Sequence, residues 1–219
     1  MSEISLNFLF NKYGCDKGSD GIKGRPPHNY NLLYEKDMSK KKNDNINILE
    51  IGILRGKSIA SFLDYFPKAQ IYAIDTFERI SPNQIKFINN ERVHWIKADS
   101  TNTKVSDLIE KFWGDISFDF IIDDGLHTPD ANTSTFKNFI KYLKDDGIYY
   151  VEDTWPLHLM TEEEIQNTES YRLLPQKLYT KNKMKKFIES LQSYNYTEHD
   201  FRNITKSFAP DSYIFRVKK

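Results

Sequence analysis

Residues 118–127 read FDFIIDDGLH, an apolar run that ends in two carboxylates, a glycine and an imidazole. A short apolar run bounded by a turn residue is typical of a buried strand. Residues 147–153 repeat the pattern, because GIYYV leads directly into Glu152 and Asp153. Ligands of open α/β sheets bind at the carboxyl ends of the strands, and neighbouring strands lie about 4.8 Å apart. We therefore expect the acids that follow the two runs to converge.

Converging carboxylates with no lysine or arginine between them would repel one another. A hard cation that prefers oxygen ligands would relieve this repulsion. The sequence thus predicts a divalent-metal site at the mouth of an α/β fold.

The rest of the chain alternates between strand-like and helix-like segments. Strands are predicted over residues 46–52, 70–75, 93–99, 118–123 and 147–151, and helices over residues 58–66, 82–88, 105–112 and 133–143. This alternation predicts an α/β fold with a mostly parallel sheet and helices on both faces. Residues 154–176 show less regularity, residues 181–191 form a helical pattern, and residues 196–204 and 212–217 alternate like a closing antiparallel pair. We predict one domain over residues 1–219, with an N-terminal helical or lid segment (residues 1–45) and an α/β core (residues 46–219).

Composition describes an ordinary protein with a mixed surface. The 219 residues include 31 lysines and arginines and 31 acids, for a net charge of +0, so neither a nucleic-acid nor a membrane partner is expected. One cysteine, Cys15, excludes an internal disulfide and fits a reducing compartment. No apolar run approaches the ~20 residues needed to span a bilayer, and the N-terminus does not resemble a signal peptide. A cytoplasmic protein is the expectation.

Residues 50–58 read EIGILRGKS and predict a strand, a glycine-containing loop and a helix N-terminus. Such a loop allows a ligand to approach the backbone closely. A dinucleotide site would require G-x-G-x-x-G, and a P-loop would require one more residue between Gly52 and Gly56. A third interpretation is a nucleoside site without a phosphate cradle, in which Glu50 faces the ligand and Ser58 lies at the start of the helix.

The ends of the next two strands favour this third interpretation. Asp75 follows Gly56 by 19 residues (75 − 56), where an acid accepts hydrogen bonds from ribose hydroxyls. Asp99 and Ser100 end the third strand, within reach of an adenine amino group. Acids at three successive strand ends after a glycine turn therefore predict a nucleoside-containing cofactor.

These motifs resemble those of class I S-adenosylmethionine-dependent methyltransferases. The pattern Glu50-x-Gly52-x-x-x-Gly56 with Asp75 and Asp99 is similar to their cofactor signature. Residues 122–127 (IDDGLH) and 151–154 (VEDT) resemble the macrocin/mycinamicin sugar O-methyltransferase group, which includes cephalosporin-hydroxylase-like proteins. Residues 13–17 (YGCDK), followed by His28, Tyr30 and Tyr34, are similar to the N-terminal segment of that group. The resemblance covers about residues 10–155.

The resemblance implies a Rossmann-like methyltransferase fold with a seven-stranded, mostly parallel sheet and an antiparallel C-terminal strand. It implies S-adenosylmethionine as cofactor, with Mg²⁺ or another divalent metal on Asp124, Glu152 and Asp153 and with His127 as general base. The predicted cofactor-binding residues are Glu50, Gly52, Gly56, Ser58, Asp75, Asp99, Ser100 and Asp123, although Asp123 is also suited to capping the following turn. The predicted substrate or lid residues are Asp16, Lys17, His28, Tyr30 and Trp155.

The implied activity is metal-assisted O-methylation of a sugar or glycosylated metabolite, which is a nucleotide-sugar, a polysaccharide or a natural product. A catechol-type acceptor, a P-loop-like NTPase or kinase, and a non-catalytic relative of the fold remain alternatives. The expected partners are a small-molecule or carbohydrate substrate and further copies of the chain in a homo-oligomer.

Overall fold

One seven-stranded sheet organises the computed structural model, which describes residues 4–21, 26–172, 177–204 and 210–219. In chain order the strands are β1 (Asn47–Ile51), β2 (Gln70–Asp75), β3 (Val93–Lys97), β4 (Phe118–Asp123), β5 (Leu143–Val151), β6 (Asn195–Asp200) and β7 (Tyr213–Lys218). Their spatial order is β3-β2-β1-β4-β5-β7-β6. Strand β7 is antiparallel to both of its neighbours, and β1 to β5 pair in parallel. The predicted sheet, with its antiparallel C-terminal strand, is confirmed.

Helices cover both faces of this sheet. They are α1 (Leu6–Tyr13), α2 (Asn31–Met38), α3 (Lys57–Tyr65), α4 (Val105–Trp113), α5 (Pro129–Phe139), α6 (Glu162–Arg172) and α7 (Lys181–Leu191). One core lies between the sheet and α1 to α3, and a second core lies between the sheet and α4, α5 and α7. Strand β4 contributes to both, because Phe120 and Ile122 pack into the first core and Ile121 into the second. Alternating side chains of a strand point to opposite faces, so the middle of a strand buried on both faces is a continuous apolar run, here residues 120–122.

The strand order reverses between β1 and β4, because successive strands are added on one side of β1 up to β3 and on its other side from β4 onward. Strands β2 and β3 lie on one side of β1, and β4 and β5 lie on the other. Such a switch point leaves a crevice at the carboxyl ends of the strands. Ile51 pairs with Asp123, which in turn pairs with Val151. The residues that follow these strands therefore emerge at one level, as the sequence predicted.

Several element boundaries differ from the prediction. The helix predicted over residues 82–88 is one 3-10 turn, Pro82–Gln84, because Ile85 and Ile88 are both buried in the first core and the chain turns to place them there. The helix predicted over residues 133–143 begins at Pro129 and ends at Phe139. The Thr128 side chain accepts a hydrogen bond from the Ala131 amide, and this cap, with proline at the first helical position, fixes the earlier start.

Other differences extend or shorten elements. Strand β5 begins at Leu143 rather than at residue 147, and β3 and β6 end at Lys97 and Asp200, before the predicted residues 99 and 204. Residues 36–45, within the predicted N-terminal segment, contain the end of α2 and a 3-10 turn, Ser39–Lys41. The segment 154–176 contains α6 within its described part. No helix in the described ranges is both long enough and apolar enough to cross a membrane.

Candidate active site

A cavity of about 680 Å³ opens at the carboxyl ends of β1, β2, β4 and β5. The N-terminal segment supplies part of its wall. Most of the predicted site residues line it: Asp16, Lys17, His28, Tyr30, Gly52, Ser58, Asp75, Asp99, Ser100, Asp124, His127 and Asp153. The predicted residues that do not line it are Glu50, Gly56, Asp123, Glu152 and Trp155. The fold thus brings the separate motifs together around one space.

Packing between strands shapes the loop after β1. Gly52 has a φ of 81°, and a Cβ atom there would overlap the carbonyl oxygen of Asp124. Gly56 has a φ of 66° and precedes α3. The sequence assigned both glycines to the close approach of a ligand, whereas the structure assigns the close approach at Gly52 to the loop after β4. The absence of a side chain at Gly52 therefore allows the predicted cofactor loop to pack directly against the predicted metal loop.

Asp75 ties the same loop to the end of β2. One carboxylate oxygen accepts hydrogen bonds from the amides of Ile53 at 2.8 Å and Leu54 at 3.2 Å. The other accepts from the Phe77 amide at 2.6 Å. Since a carboxylate has about four acceptor positions, Asp75 still has capacity for a ribose hydroxyl. Its role in shaping the loop was not predicted.

Asp99 and Ser100 line the predicted adenine end of the cavity. Asp99 accepts hydrogen bonds from the Thr101 amide and hydroxyl, and the Ser100 hydroxyl lies 2.9 Å from the Thr135 hydroxyl of α5. Both side chains therefore have partners within the chain, and the contact to an adenine amino group stays a prediction.

Glu50 is fully buried at the end of β1. Neither of its carboxylate oxygens has a hydrogen-bond partner in the described part of the chain, and Lys17 Nζ lies 4.0 Å away. Burial raises the pKa of Glu50 to about 7, against the charge of Lys17 and a polar contact with the Ser58 side chain that falls outside hydrogen-bond geometry. A buried acid without hydrogen bonds is costly unless a partner completes it. The Glu50 carboxylate is therefore suited to pair with a cationic group of the cofactor that the motifs imply.

Asp123 does not reach the cavity. It is buried at the end of β4, and one carboxylate oxygen accepts a 3.3 Å hydrogen bond from the Gly125 amide. Burial raises the pKa of Asp123 to about 7. The geometry supports the alternative role that the sequence allowed, which is a cap for the turn before His127.

Asp124, His127 and Asp153 form the acidic centre of the site. Each offers a potential ligand atom, and these atoms lie within 4.8 Å of one another. His127 Nε2 is 3.6 Å from Asp124 Oδ1. Burial raises the pKa of Asp124, whereas His28 and His127 outweigh burial at Asp153 and lower its pKa to about 2. Ionised carboxylate oxygens at this spacing fit the donor set of a hard divalent cation.

Lys17 contradicts one premise of the sequence argument. Its ammonium group is buried among the acids, 2.6 Å from Asp124 Oδ2, and it also contacts Glu152. Burial lowers the pKa of Lys17, but the charges of Asp124 and Glu152 outweigh it and raise the pKa well above its usual value. A lysine does therefore lie between the carboxylates, and local sequence could not show this because Lys17 is 107 residues before Asp124.

Glu152 faces away from the cavity. It is fully buried, with one carboxylate oxygen bound by Lys17 and the other by the Tyr34 hydroxyl. Burial raises the pKa of Glu152 well above its usual value, and Lys17 opposes this. The predicted metal ligands are thus divided, with Asp124 and Asp153 on the cavity wall and Glu152 behind it.

A second histidine lies on the other side of Asp153. His28 Nδ1 is 2.8 Å from the Ser212 hydroxyl and 3.4 Å from Asp153 Oδ1. The Tyr30 hydroxyl donates a 2.7 Å hydrogen bond to the same carboxylate oxygen. The N-terminal segment and the start of β7 therefore fix the orientation of Asp153. Ser212 and Tyr34 were not predicted as site residues. Tyr34 belongs to the N-terminal pattern of the resemblance, whereas no local motif marks Ser212.

Backbone strain concentrates around the same cavity. The described residues other than glycine with positive φ are Asn29, Leu54, Phe77, His127 and Asp153. Three of them line the cavity, and Asn29 and Phe77 are adjacent in sequence to residues that do. Such conformations cost about 1–3 kcal/mol each and cluster at functional sites. This observation supports the site independently of its charges.

Two predictions are not supported by the geometry. Trp155 is buried in the second core and does not line the cavity, so its predicted substrate contact stays a prediction without support from this geometry. The Lys57 ammonium donates a 2.7 Å hydrogen bond to the Gly14 carbonyl. The lysine that a P-loop would direct at phosphates is therefore engaged by the N-terminal segment.

Residues 49–154 match a family model described as a methyltransferase domain. This segment of the chain is therefore similar to a methyltransferase domain. The match begins within β1 and ends just after Asp153, so it contains the cofactor loop and the acidic centre. The resemblance inferred from the motifs is confirmed.

Curated relatives that match this chain are O-methyltransferases by name. Mycinamicin VI 2''-O-methyltransferase of Micromonospora griseorubida is 25% identical over 162 residues, which are 71% of this chain and 36% of the relative. Demethylmacrocin O-methyltransferase of Streptomyces fradiae is 22% identical over 162 residues, with the same coverage of 71% and 36%. This chain thus spans about a third of the length of the curated relatives it matches.

Solved structures confirm the fold. The MycE methyltransferase of the mycinamycin pathway, solved with Mg and S-adenosylhomocysteine, superposes with a TM-score of 0.66 at 19% identity, covering 99% of this chain and 55% of that one. A Podospora anserina methyltransferase bound to S-adenosylhomocysteine gives 0.57 at 16% identity, with coverage of 97% and 86%. This chain therefore has the Rossmann-like arrangement that the motifs implied.

Proposed function

We propose that this chain is an S-adenosylmethionine-dependent O-methyltransferase that methylates a hydroxyl of a sugar or glycosylated metabolite, assisted by a divalent cation such as Mg²⁺. One observation carries the proposal. A ring nitrogen of His127 lies with carboxylate oxygens of Asp124 and Asp153 within 4.8 Å, in the same cavity as the glycine-containing loop after β1. The proposed base, cation site and nucleoside site would thus be adjacent.

The cofactor would lie along the loop after β1. Asp75 has acceptor capacity left for the ribose, and Asp99 and Ser100 line the expected adenine end. Glu50 would complete its carboxylate with the cationic end of the cofactor, because its oxygens have no hydrogen-bond partner among the described residues. Gly52, Gly56 and Ser58 stay predicted cofactor-binding residues, in this loop and at the start of α3.

The cation would be held by Asp124 and Asp153, with Glu152 as the third predicted ligand. When bound, it would stabilise the negative charge that develops on a hydroxyl as the hydroxyl loses its proton. The fixed orientation of Asp153, held by Tyr30 beside His28, keeps one carboxylate in place before the cation arrives.

The acceptor hydroxyl would lie next to His127. Its oxygen forms the new bond to the methyl carbon as the carbon–sulfur bond breaks and the electron pair remains on sulfur, and in-line alignment is required. His127 Nε2 accepts the hydroxyl proton, so the base carries the positive charge after the transfer. The left-handed backbone of His127, with a φ of 60°, turns the ring towards Asp124.

A sugar acceptor is supported by the names of the relatives, which methylate glycosylated antibiotics. We test it with the purified full chain, S-adenosylmethionine carrying a labelled methyl group, and a panel of glycosides with vicinal hydroxyls and catechols. Label should transfer to a glycoside in the presence of Mg²⁺ and stop on chelation. Transfer to catechols alone would move the substrate class to the alternative. Tight calorimetric binding of ATP with no binding of S-adenosylhomocysteine would overturn the methyltransferase activity.

Asp124→Asn tests the cation directly. Loss of a ligand should reduce kcat by about 10³-fold, equivalent to the several kcal/mol that such a cation supplies. Asp146→Asn is the control, because Asp146 is a mostly exposed acid at the opposite end of the sheet. Fully demetallated enzyme that kept its rate would refute the cation assignment. The cytoplasmic location, the homo-oligomer and the lack of nucleic-acid and membrane partners stay predictions from composition and resemblance.

A further inference from the structure

Lys17 connects the N-terminal segment to three strands at once. Its side chain is 4% exposed, and its ammonium group reaches Asp124 Oδ2, Glu152 Oε2 and, at 4.0 Å, Glu50 Oε1. These acids follow or end β4, β5 and β1. A lysine buried this deeply stays charged only because carboxylates surround it. The chain thus supplies its own cation to the acidic centre.

Asp124 is shared between this internal cation and the open part of the site. Its Oδ2 atom binds Lys17, whereas its Oδ1 atom is 3.6 Å from His127 Nε2 on the cavity wall. Glu152 is not shared, because Lys17 and Tyr34 occupy its two oxygens. Asp124, Glu152 and Asp153 could therefore hold one cation together only if Lys17 released Glu152.

We propose that Lys17 is an internal counter-ion that a divalent cation displaces from Asp124 and Glu152. The inference rests on the cation site of the proposed function and adds a residue that sets its affinity. The two cations compete for the same oxygens, and the divalent ion carries twice the charge of the ammonium group. Lys17 would keep the acids from repelling one another in the metal-free protein, and it would weaken metal binding by the free energy needed to displace it.

The exchange would also alter the cavity wall. Cys15, Asp16 and Lys17 line the cavity together, so a displaced Lys17 ammonium would enter the space where cofactor and acceptor are expected. Metal binding should then be detectable at Lys17 itself, 107 residues away in sequence from Asp124.

The first test measures Mn²⁺ binding by the metal-free, cofactor-free full chain, from the electron paramagnetic resonance signal of free Mn²⁺. Lys17→Met removes the competing charge and keeps most of the side-chain volume. We expect Lys17→Met to bind Mn²⁺ at least about tenfold more tightly than the wild type. Lys41→Met is the matched control, since Lys41 also bridges acids, Asp119 and Asp146, but at the opposite end of the sheet. It should bind Mn²⁺ as the wild type does.

The gain in Mn²⁺ affinity that Lys17→Met produces should depend on Glu152. In a Glu152→Gln background, adding Lys17→Met should give a much smaller increase in affinity, because the freed oxygen is gone. Equal or weaker Mn²⁺ binding by Lys17→Met would overturn the exchange and leave the proposed metal-assisted reaction standing. If neither the wild type nor Lys17→Met bound Mn²⁺ or Mg²⁺, both the exchange and the cation assistance would fall.

A second test needs no variant, in case the uncompensated acids prevent Lys17→Met from folding. The rate at which acetic anhydride acetylates Lys17 and Lys41 is measured by mass spectrometry of the wild type, with and without saturating Mg²⁺. Release from the acids should speed acetylation of Lys17 severalfold and leave Lys41 unchanged. Unchanged or slower acetylation of Lys17 in Mg²⁺-loaded protein would refute the displacement.

Discussion

Two buried acids at opposite ends of the central strands have contrasting surroundings. Asp119, near the start of β4, accepts hydrogen bonds from Lys41 at 3.0 Å, Lys144 at 2.7 Å and the Asn47 amide at 3.0 Å. Glu50, near the end of β1, has no hydrogen bond to either oxygen within the described ranges. The chain completes the acid at the amino edge and leaves the acid at the carboxyl edge incomplete. Since buried polar groups are normally satisfied, the incomplete acid indicates where a ligand belongs.

The largest expected effect is at the carboxyl edge, on His127. His127→Gln keeps a polar side chain but removes the base, and we expect kcat to fall by about 10³-fold, within the usual range for a positioned base. Affinity for S-adenosylhomocysteine should change little, because its expected contacts lie on β1 to β3. Steady-state kinetics and calorimetry measure the two quantities.

His158→Gln is the control, because His158 pairs with Glu198 and does not line the cavity. Its kcat should remain within about twofold of the wild type. A near-normal rate in His127→Gln would reduce His127 to a structural residue and leave proton removal to another group.

The next prediction concerns Glu50 and the pH dependence of stability in the ligand-free protein. Burial raises the pKa of Glu50 from 4.5 to about 7, so the folded state holds this proton more tightly than the unfolded state. The stability that the protonated form provides is complete below about pH 4.5, and it is lost as pH rises through about 7. The loss should be on the order of 3 kcal/mol.

Chemical denaturation at several pH values measures this loss. Glu50→Gln cannot ionise, so its free energy of unfolding should fall less than that of the wild type over the same window. S-adenosylmethionine should reduce the wild-type loss if its cationic end pairs with Glu50. A wild-type pH profile as flat as that of Glu50→Gln would contradict the view that Glu50 is left incomplete.

Asp119→Asn, at the amino edge, should reduce stability without reducing activity. It removes hydrogen bonds between a buried carboxylate and two lysines, which should lower the free energy of unfolding by about 2 kcal/mol at neutral pH. Activity should be retained, since Asp119 lies at the far end of the sheet. Asp146→Asn breaks only the exposed contact of Lys41, and it should cost less than about 1 kcal/mol. Lost activity in folded Asp119→Asn would break the contrast between the two edges.

The sequence predicted the site best where the functional residues are adjacent in sequence to the strand that positions them. Apolar runs ending in acids placed β4 and β5 and brought Asp124 and Asp153 together, because strand ends are encoded by adjacent residues. The methyltransferase resemblance then followed from motifs over about residues 10–155, and the family model matches residues 49–154 of this stretch. The predicted element boundaries were wrong where burial of a side chain in the core sets the backbone conformation. Burial of Ile85 and Ile88 in the first core, for example, accompanies a 3-10 turn where a helix was predicted.

Contacts between distant segments could not be predicted. Lys17 reaches Glu152 across 135 residues, Tyr34 reaches the same acid across 118, and Ser212 meets His28 across 184. The N-terminal pattern marked Lys17, His28 and Tyr34 but gave no partner for any of them, and no motif marks Ser212. Only the folded chain shows that the N-terminal segment and β7 complete the acidic centre, which is why the premise of carboxylates without a lysine was wrong.

The smallest predicted effect separates two roles of Asp75, which falls between the two kinds of acid. It already accepts hydrogen bonds from Ile53, Leu54 and Phe77, as a completed acid does, yet it lines the cavity. If it also binds the ribose, Asp75→Asn should weaken S-adenosylhomocysteine binding about tenfold, or about 1.4 kcal/mol. Asp64→Asn, on α3 and paired with Lys12, should leave binding unchanged in calorimetry.

A 2′-deoxy analogue of S-adenosylhomocysteine decides between the roles, because it lacks one of the hydroxyls that Asp75 would accept. A ribose contact predicts that Asp75→Asn costs the analogue less than about threefold, since the lost hydrogen bond is already absent. A loop role predicts equal losses for both ligands, because Leu54 and Phe77, with φ of 45° and 52°, would relax from strained conformations whichever ligand is bound. Equal losses would place Asp75 with Asp119 among the acids that the chain completes by itself, and Glu50 would then be the acid at this edge that awaits the cofactor.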